Sequence, residues 1–428
     1  MRILLVGLMA LPLASAIDSG SIDAIGNGEL TRKDLPGLVI VTVQDGQVTY
    51  AKGFGVANVE TKEPLTPQHL FRVGSTTKMF TSAAVLRLVE QGKLSLRDPV
   101  EKYVRDIHPA LAKLTPHQLL SHSAGLMDRT LMFGAHDDTA LAANVRALQP
   151  DVLFTKPGEV YSYSNLGYAI AGRLIEVITM QPFATAMEGL LFQPLGMTRT
   201  TFRPTMAMTY PLAQGHVREG SAVSIGRPAA DHSGYWPAGS MFTNGEDFAK
   251  WAVAVMDRRV LPASVIQALT TPQVAVPNGG HYGYGVSIRA IHGVNVYSHG
   301  GSRQGYTSHF IWAPDKRAGV VTLVNVSGGD AASAAEKAFA LMTGLEASAT
   351  KNAPARLSLV KLAGVYTQYT NVVVFRLEGS QLVMQNEGRS TVLQPTSGNC
   401  FGTVCFTVTE EGRGKYAHVG SRAFARRD

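Results

Sequence analysis

Apolar and polar positions change their spacing several times along the chain, and each change predicts a different kind of element. From Gly37 to Tyr50 the pattern alternates with the period of strands around Asp45-Gly46, a strong hairpin signal. From about Thr77 to Met256 it turns largely to helices and loops. Apolar side chains recur at mostly helical spacing over Met79–Glu90, and Gly92 stands where a helix end favours glycine. A second apolar helix is predicted from Asn165 to Glu176, with small residues that allow close packing. Strand patterns return at Tyr282–Arg289, at Val294–Ser298 and in a long hairpin, Tyr306–Val326, turning at Pro314-Asp315. An alanine-rich helix, Ala331–Leu345, follows. Strands at both ends of this region with helices between them predict an α+β fold, in which one antiparallel sheet is assembled from both chain ends and packed with helices. Residues 346–356 are small and polar and read as a linker. From Leu357 onward, short strand-like runs with turns at Glu378-Gly379-Ser380 and Ser397-Gly398-Asn399 predict a small all-β, barrel-like domain of the lipocalin kind.

The N-terminus adds a separate feature. Met1-Arg2, an apolar run from Ile3 to Leu13 and the small-x-small stretch Ala14-Ser15-Ala16 have the form of a signal peptide. The run is too short to span a bilayer. The expected organisation is therefore a signal peptide over 1–16, a main domain over 17–345, a linker over 346–356 and a small β domain over 357–428. Export to the periplasm or medium follows as an expectation.

With 45% hydrophobic and 17% charged residues, the 428-residue chain reads as globular rather than disordered. Its net charge of +7 is spread along the chain, with no basic run interleaved with aromatics, so a nucleic-acid partner is not expected. The two cysteines, Cys400 and Cys405, are too few for a four-ligand zinc site; they either remain thiols or close a disulfide across a turn. No H-E-x-x-H occurs and the histidines are scattered, so neither a metal nor another cofactor is expected.

Candidate chemistry begins at Ser75-Thr-Thr-Lys78. The spacing places a hydroxyl and an amine one helical turn apart at a helix start, after Gly74, which permits a sharp turn. A neutral lysine can take the serine proton, and helix amides favour developing negative charge. The same S-x-x-K spacing recurs at Ser348–Lys351 and Ser358–Lys361, so the motif alone does not decide. Two further groups follow. Tyr163 and Asn165 put a phenol and a carboxamide two residues apart at the mouth of a helix. Tyr163 can carry a proton if nearby cations lower its pKa, and Asn165 can hold both an amine and a substrate carbonyl. Alternatively, Tyr163 is a core tyrosine and Asn165 a helix cap. Then Tyr297-Ser-His299-Gly300-Gly301-Ser302 ends a strand in a polar side chain and glycines, along which a substrate backbone can lie.

These three pieces, in this order, resemble the serine β-lactamase and penicillin-binding superfamily, class C type, where S-x-x-K, Y-x-N and K-T-G or H-x-G follow one another. Leu119–Leu126, Pro237-Ala-Gly239 and Asp315–Asn325 are similar to stretches of the same enzymes, and the resemblance covers roughly residues 30–345. It implies a β-lactamase/transpeptidase-like fold, with Ser75 as nucleophile, Lys78 as its base and Tyr163 as proton shuttle. Asn165 would position Lys78 and the substrate amide, and His299, Gly301 and Ser302 would line the substrate strand. The Ser75 and Ser302 amides would form the oxyanion hole. His122 lies in a loop of family type, where a structural role is expected.

The third motif departs from the lactamase form: His299 stands in place of lysine and Gly300 in place of threonine, which removes a fixed cation for a substrate carboxylate. Arg303 is read as an exposed strand-end arginine rather than its replacement. The expected function is an exported serine hydrolase acting on D-amino-acid peptides, amides or esters, small molecules or short peptides. A genuine β-lactamase and a non-catalytic binder of cell-wall peptides are the alternatives. Because every candidate residue precedes 345, the C-terminal domain is expected to be dispensable for acylation.

Overall fold

The structure, a computed structural model, describes residues 18–257, 261–346 and 357–427. The signal-peptide reading lies outside the described residues, as does nearly all of the linker. An eight-stranded antiparallel sheet forms the centre of the main domain. Gly37–Gln44 pairs with Gln47–Gly55 on one side and Ala318–Val324 on the other. Tyr306–Ala313, Val294–Arg303 and Ser287–Ile291 follow in that order towards the far edge. Asp45 and Gly46, both at positive φ, make the hairpin turn between the first two strands.

Both faces of this sheet are covered, so Gly37–Val43 is buried throughout. Val39, Val41 and Val43 enter the large core shared with the helical region, whereas Leu38 and Ile40 face a second core beneath the terminal helices. Val321 and Leu323 divide from Val320 and Val324 in the same way. The period of two therefore sorts apolar side chains between two cores rather than between core and water. The second core reveals an element that the hydrophobic pattern does not announce: a helix, Ser19–Lys33, precedes the first strand and packs with Ala331–Thr343. Only Ile22, Gly26 and Glu29 of that N-terminal helix are buried, too few to produce a clear apolar stripe.

Thr77–Glu90 is the central helix, buried from Thr77 through Leu86 and capped where Gly92 takes φ +68°. It packs against Asn165–Thr179, as expected for two helices whose every face meets protein. Two strand predictions need correction. The expected strand Tyr282–Arg289 is broken into His281–Tyr282 and Ser287–Ile291, because Gly283–Val286 leaves the sheet to pass beside the central helix. A Cβ on Gly285 would stand 2.7 Å from the Lys78 carbonyl oxygen, which explains the glycine. The strand expected to end at Ser298 instead continues through the glycines to Arg303.

The C-terminal residues form a nine-stranded antiparallel sheet around their own core, including Tyr366, Phe375, Phe401 and Phe406. Its two outermost strands, Arg389–Leu393 and Pro395–Ser397, are separated in sequence only by Gln394, so the edges meet and the sheet is a nearly closed barrel. Cys400 and Cys405 are joined by a disulfide across opposed strands.

Candidate active site

A turn of 3₁₀ helix, Gly74–Thr76, leads into the central helix and presents Ser75. Gly74 takes φ +54°, and a Cβ there would stand 2.4 Å from the Ser302 amide nitrogen. The turn is pinned from both sides: Thr76 Oγ1 donates to the Val73 carbonyl at 2.8 Å, and Ser308 Oγ to the same oxygen at 2.7 Å. Strand Val294–Arg303 runs directly against it. Its outer neighbour pairs only as far as Ser298, so His299–Arg303 presents an open edge beside Ser75. A Cβ on Gly301 would fall 1.9 Å from the Val73 carbonyl and 3.0 Å from the Ser75 amide. Gly301→Ala is therefore expected to push this strand away from Ser75 and to slow covalent labelling of Ser75 at least about tenfold, since small displacements of positioned groups are costly. Unchanged labelling kinetics would show that the close approach is not required.

Lys78 is fully buried, with Nζ 3.3 Å from Ser75 Oγ. It donates to Asn165 Oδ1 at 2.7 Å and to the Ala238 carbonyl at 2.6 Å. Burial lowers its pKa to about 7, against the pull of the Asp128 charge and with help from Arg422. A neutral amine has two N–H groups and one lone pair. With both N–H groups held by carbonyl oxygens, the lone pair is left facing Ser75.

Tyr163 packs over this amine, its ring centroid 4.7 Å from Lys78 Nζ. Burial raises its pKa well above the usual phenol value, and a hydrogen bond with Ser75 only partly offsets this. The expectation that cations lower it is thus corrected: Tyr163 is a neutral phenol at pH 7. Asn165 uses its backbone N–H to bond Asp128 Oδ1 at 2.8 Å, and its side-chain Nδ2 donates to Thr130 at 3.1 Å. Its carboxamide oxygen holds Lys78 and one N–H of its Nδ2 bonds Thr130, which leaves the second N–H as a donor.

His299 needs a fuller correction. It is buried, 6% exposed, with Nδ1 2.6 Å from the Gly300 carbonyl and Nε2 2.9 Å from Tyr282 Oη. Since a carbonyl only accepts, Nδ1 carries the proton and Nε2 accepts from the tyrosine. Burial, then the Lys78 charge, lowers its pKa to about 3, so it is neutral at pH 7. Arg303, read as exposed, is 4% exposed; its guanidinium stacks on Tyr235 at 4.6 Å and donates to the Leu131 carbonyl at 3.1 Å. Neither side chain is a free cation in the cleft. His122, at φ +58°, stacks on Tyr163 at 4.2 Å, and its Nδ1 accepts from the Ser164 amide at 3.1 Å, a supporting position. Ser75, Tyr163, His299, Gly301 and Ser302 together line a cavity of about 390 Å³.

Of the repeated S-x-x-K spacings, Ser348–Lys351 lies outside the described residues. Ser358–Lys361 begins a four-residue helix where Lys361 Nζ donates to the Glu411 carbonyl, with no base–nucleophile contact described between the pair. Among the described residues no cluster of potential metal ligands occurs. Two residues escaped the sequence reading. Asp128 falls just past Leu126, the end of a family-like stretch, and was within reach of it. Arg422, whose Nε lies 2.7 Å from Asp128 Oδ2, comes from the C-terminal barrel, 294 residues later, where no local signal marks it.

A serine at the start of the central helix, a buried lysine one turn later and an open strand edge on this sheet are the arrangement of the β-lactamase/transpeptidase fold. The Beta-lactamase family profile matches residues 22–343, and the chain belongs to that family. It is 27% identical over 321 residues to Protein flp of Staphylococcus aureus, a match covering 72% of this chain and 63% of the relative. It is 30% identical over 342 residues to a D-aminopeptidase of Gluconobacter oxydans, covering 75% of this chain and 62% of that protein. The chain thus spans under two thirds of the length of these curated relatives. Along nearly its whole length it superposes on the octameric penicillin-binding protein homologue from Pyrococcus abyssi. There the TM-score is 0.70 and the identity 27%, with 94% of this chain and 96% of that one covered.

Proposed function

We propose that this protein is an exported serine hydrolase that forms an acyl-enzyme on Ser75 and cleaves amides, esters or short peptides of D-amino acids. The observation that carries the reading is the buried Lys78 amine, its pKa lowered to about 7, held by two carbonyl oxygens and 3.3 Å from Ser75 Oγ, so that its neutral form can turn its lone pair to the hydroxyl. Lys78 takes the Ser75 proton as Oγ attacks the substrate carbonyl. The amides of Ser75 and Ser302, brought together by Gly74 and Gly301, hold the oxyanion. Tyr163, a neutral phenol at Ser75, passes a proton to the leaving group. Water then releases the acyl group by the reverse proton path.

The neutral, doubly bonded His299 supports the substrate class. A β-lactam carboxylate would find no cation at that position, whereas an uncharged amide or ester loses nothing. The relative named as a D-aminopeptidase agrees with this reading. The apolar run at the N-terminus and the Cys400–Cys405 disulfide support export into an oxidising compartment.

The test is a panel of a D-alanyl amide, a p-nitrophenyl ester and a chromogenic cephalosporin, each with the native chain and Ser75→Ala, together with fluorophosphonate labelling. The expected result is an adduct on Ser75 and turnover of the amide or ester at least about 10²-fold above the cephalosporin, the scale of a lost charge-assisted contact. Preferred turnover of the cephalosporin would make the protein a β-lactamase. An adduct on Ser123 or Ser358 would remove Ser75 as nucleophile.

A further inference from the structure

The C-terminal barrel does not stand apart from the cleft. Strands Gly414–Val419 and Arg422–Arg427 form a hairpin, and its turn lies along the segment that carries Tyr163. The Ser421 carbonyl accepts from the Tyr163 amide at 2.9 Å. Ser162 Oγ accepts from the Ala423 amide at 3.1 Å and from Gln368 Nε2 at 3.2 Å, two groups of the barrel. From the hairpin tip Arg422 reaches Asp128, whose carboxylate is 6% exposed, with Nε at 2.7 Å and Nη2 at 2.5 Å from Oδ2. The other carboxylate oxygen holds the Asn165 amide, and Asn165 Oδ1 holds Lys78. An unbroken chain of contacts therefore runs from the barrel to the amine beside Ser75.

We propose that Arg422 is a positioning residue for the Ser75–Lys78 pair: it neutralises and fixes Asp128, so that the Asn165 carboxamide stays on Lys78 and the lysine can remain an uncharged base. The inference rests on the acyl-enzyme reading of Ser75. The charged and titratable groups facing Lys78 are Asp128 from the loop after Leu126, Arg422 from the barrel, Tyr163 and Tyr168 from the neighbouring helix and its approach, and His122 and His299. Both histidines are held neutral by burial, and both tyrosines are pushed up by it, so all four are uncharged at pH 7. Asp128 and Arg422 are the charged pair. Without Arg422, Asp128 becomes an uncompensated buried carboxylate near the amine and favours its protonated form. The burial of Lys78 and the opposing effects of Asp128 and Arg422 on its pKa agree with this sign. On this proposal the C-terminal domain contributes to acylation, in contrast to the expectation from sequence that it is dispensable for that step.

The test follows the rate of fluorophosphonate labelling at Ser75 against pH, from about 5.5 to 9, in the full chain. Arg422→Gln is expected to move the rising limb to higher pH. Labelling should be roughly tenfold slower near pH 6.5, with the rate at high pH largely kept, as for loss of one nearby charge. Arg422→Lys should hold the limb near its native place. Asp128→Asn combined with Arg422→Gln, which leaves no orphan charge, should return it to or below the native midpoint. A limb unmoved by Arg422→Gln, or equal slowing at every pH, would overturn the proposal. Should the single variant fail to fold, a midpoint above native in the double variant would overturn it instead. Absence of any native adduct on Ser75 would overturn the acyl-enzyme reading itself, and is seen independently of a shift between variants.

Discussion

Lys78→Arg is expected to lower turnover by about 10²- to 10⁴-fold, the range for loss of a positioned general base. Arginine keeps the charge but cannot lose its proton at accessible pH. It is also too long for a pocket in which Nζ reaches Asn165 at 2.7 Å and the Ala238 carbonyl at 2.6 Å. The native pH profile should carry the same signature. Because burial lowers the Lys78 pKa to about 7, the amine is charged below that pH and free above it, so activity should rise as pH increases through about 7. His299, with a pKa of about 3, should add no limb between about pH 5 and 8. Steady-state rates for the D-alanyl amide across this range check both statements. Near-native turnover in the arginine variant would mean that another group deprotonates Ser75.

Asp231→Ala is expected to cost about 3–5 kcal/mol of folding stability, the scale for removing one partner of a buried ion pair. Asp231 Oδ1 accepts from Arg72 Nη1 at 2.8 Å and from Trp236 Nε1 at 3.3 Å, and the carboxylate is 2% exposed. Arg72 would be left buried, stacked at 4.4 Å on Phe242 with its charge unmatched. Arg72 precedes the turn that presents Ser75 by two residues, so labelling of Ser75 should fall with stability. Urea unfolding measures the loss. A change below about 1 kcal/mol, the level of surface pairs, would show that Arg72 finds another partner or water. The exposed pair of Arg227 and Glu60 is the matched control, where a Glu60→Ala change should leave the unfolding midpoint nearly unmoved.

Elements whose side chains repeat with one clear period were legible from the chain. The hairpin at Asp45-Gly46, the helices beginning at Thr77 and Asn165, the long hairpin after Tyr306 and the antiparallel C-terminal domain all have turn residues that fit only one local geometry. The helix Ser19–Lys33 was not legible, because it buries three residues and its polarity pattern is nearly uniform. The break at Gly283–Val286 was missed for the opposite reason: its apolar residues read as strand, and only the nearby Lys78 carbonyl explains why the chain departs from the sheet.

The candidate site divides along the same line. Ser75 and Lys78 are neighbours through helical spacing alone, so three residues of sequence suffice to pair a hydroxyl with an amine. Their charge state is another matter. Lys78 becomes a neutral base only because two helices, the Ala238 carbonyl and the sheet remove it from water, an effect that no local pattern encodes. His299 lines the cleft as its motif implies, yet its ring nitrogens are held by Tyr282 and the Gly300 carbonyl, and Arg303, which reads as exposed in a line, is buried against Tyr235. Arg422 shows the limit most plainly. It meets Asp128 from 294 positions away in a second domain. Electrostatic and hydrogen-bond energies depend on distance through space, whereas spacing along the chain reports distance only within a single element.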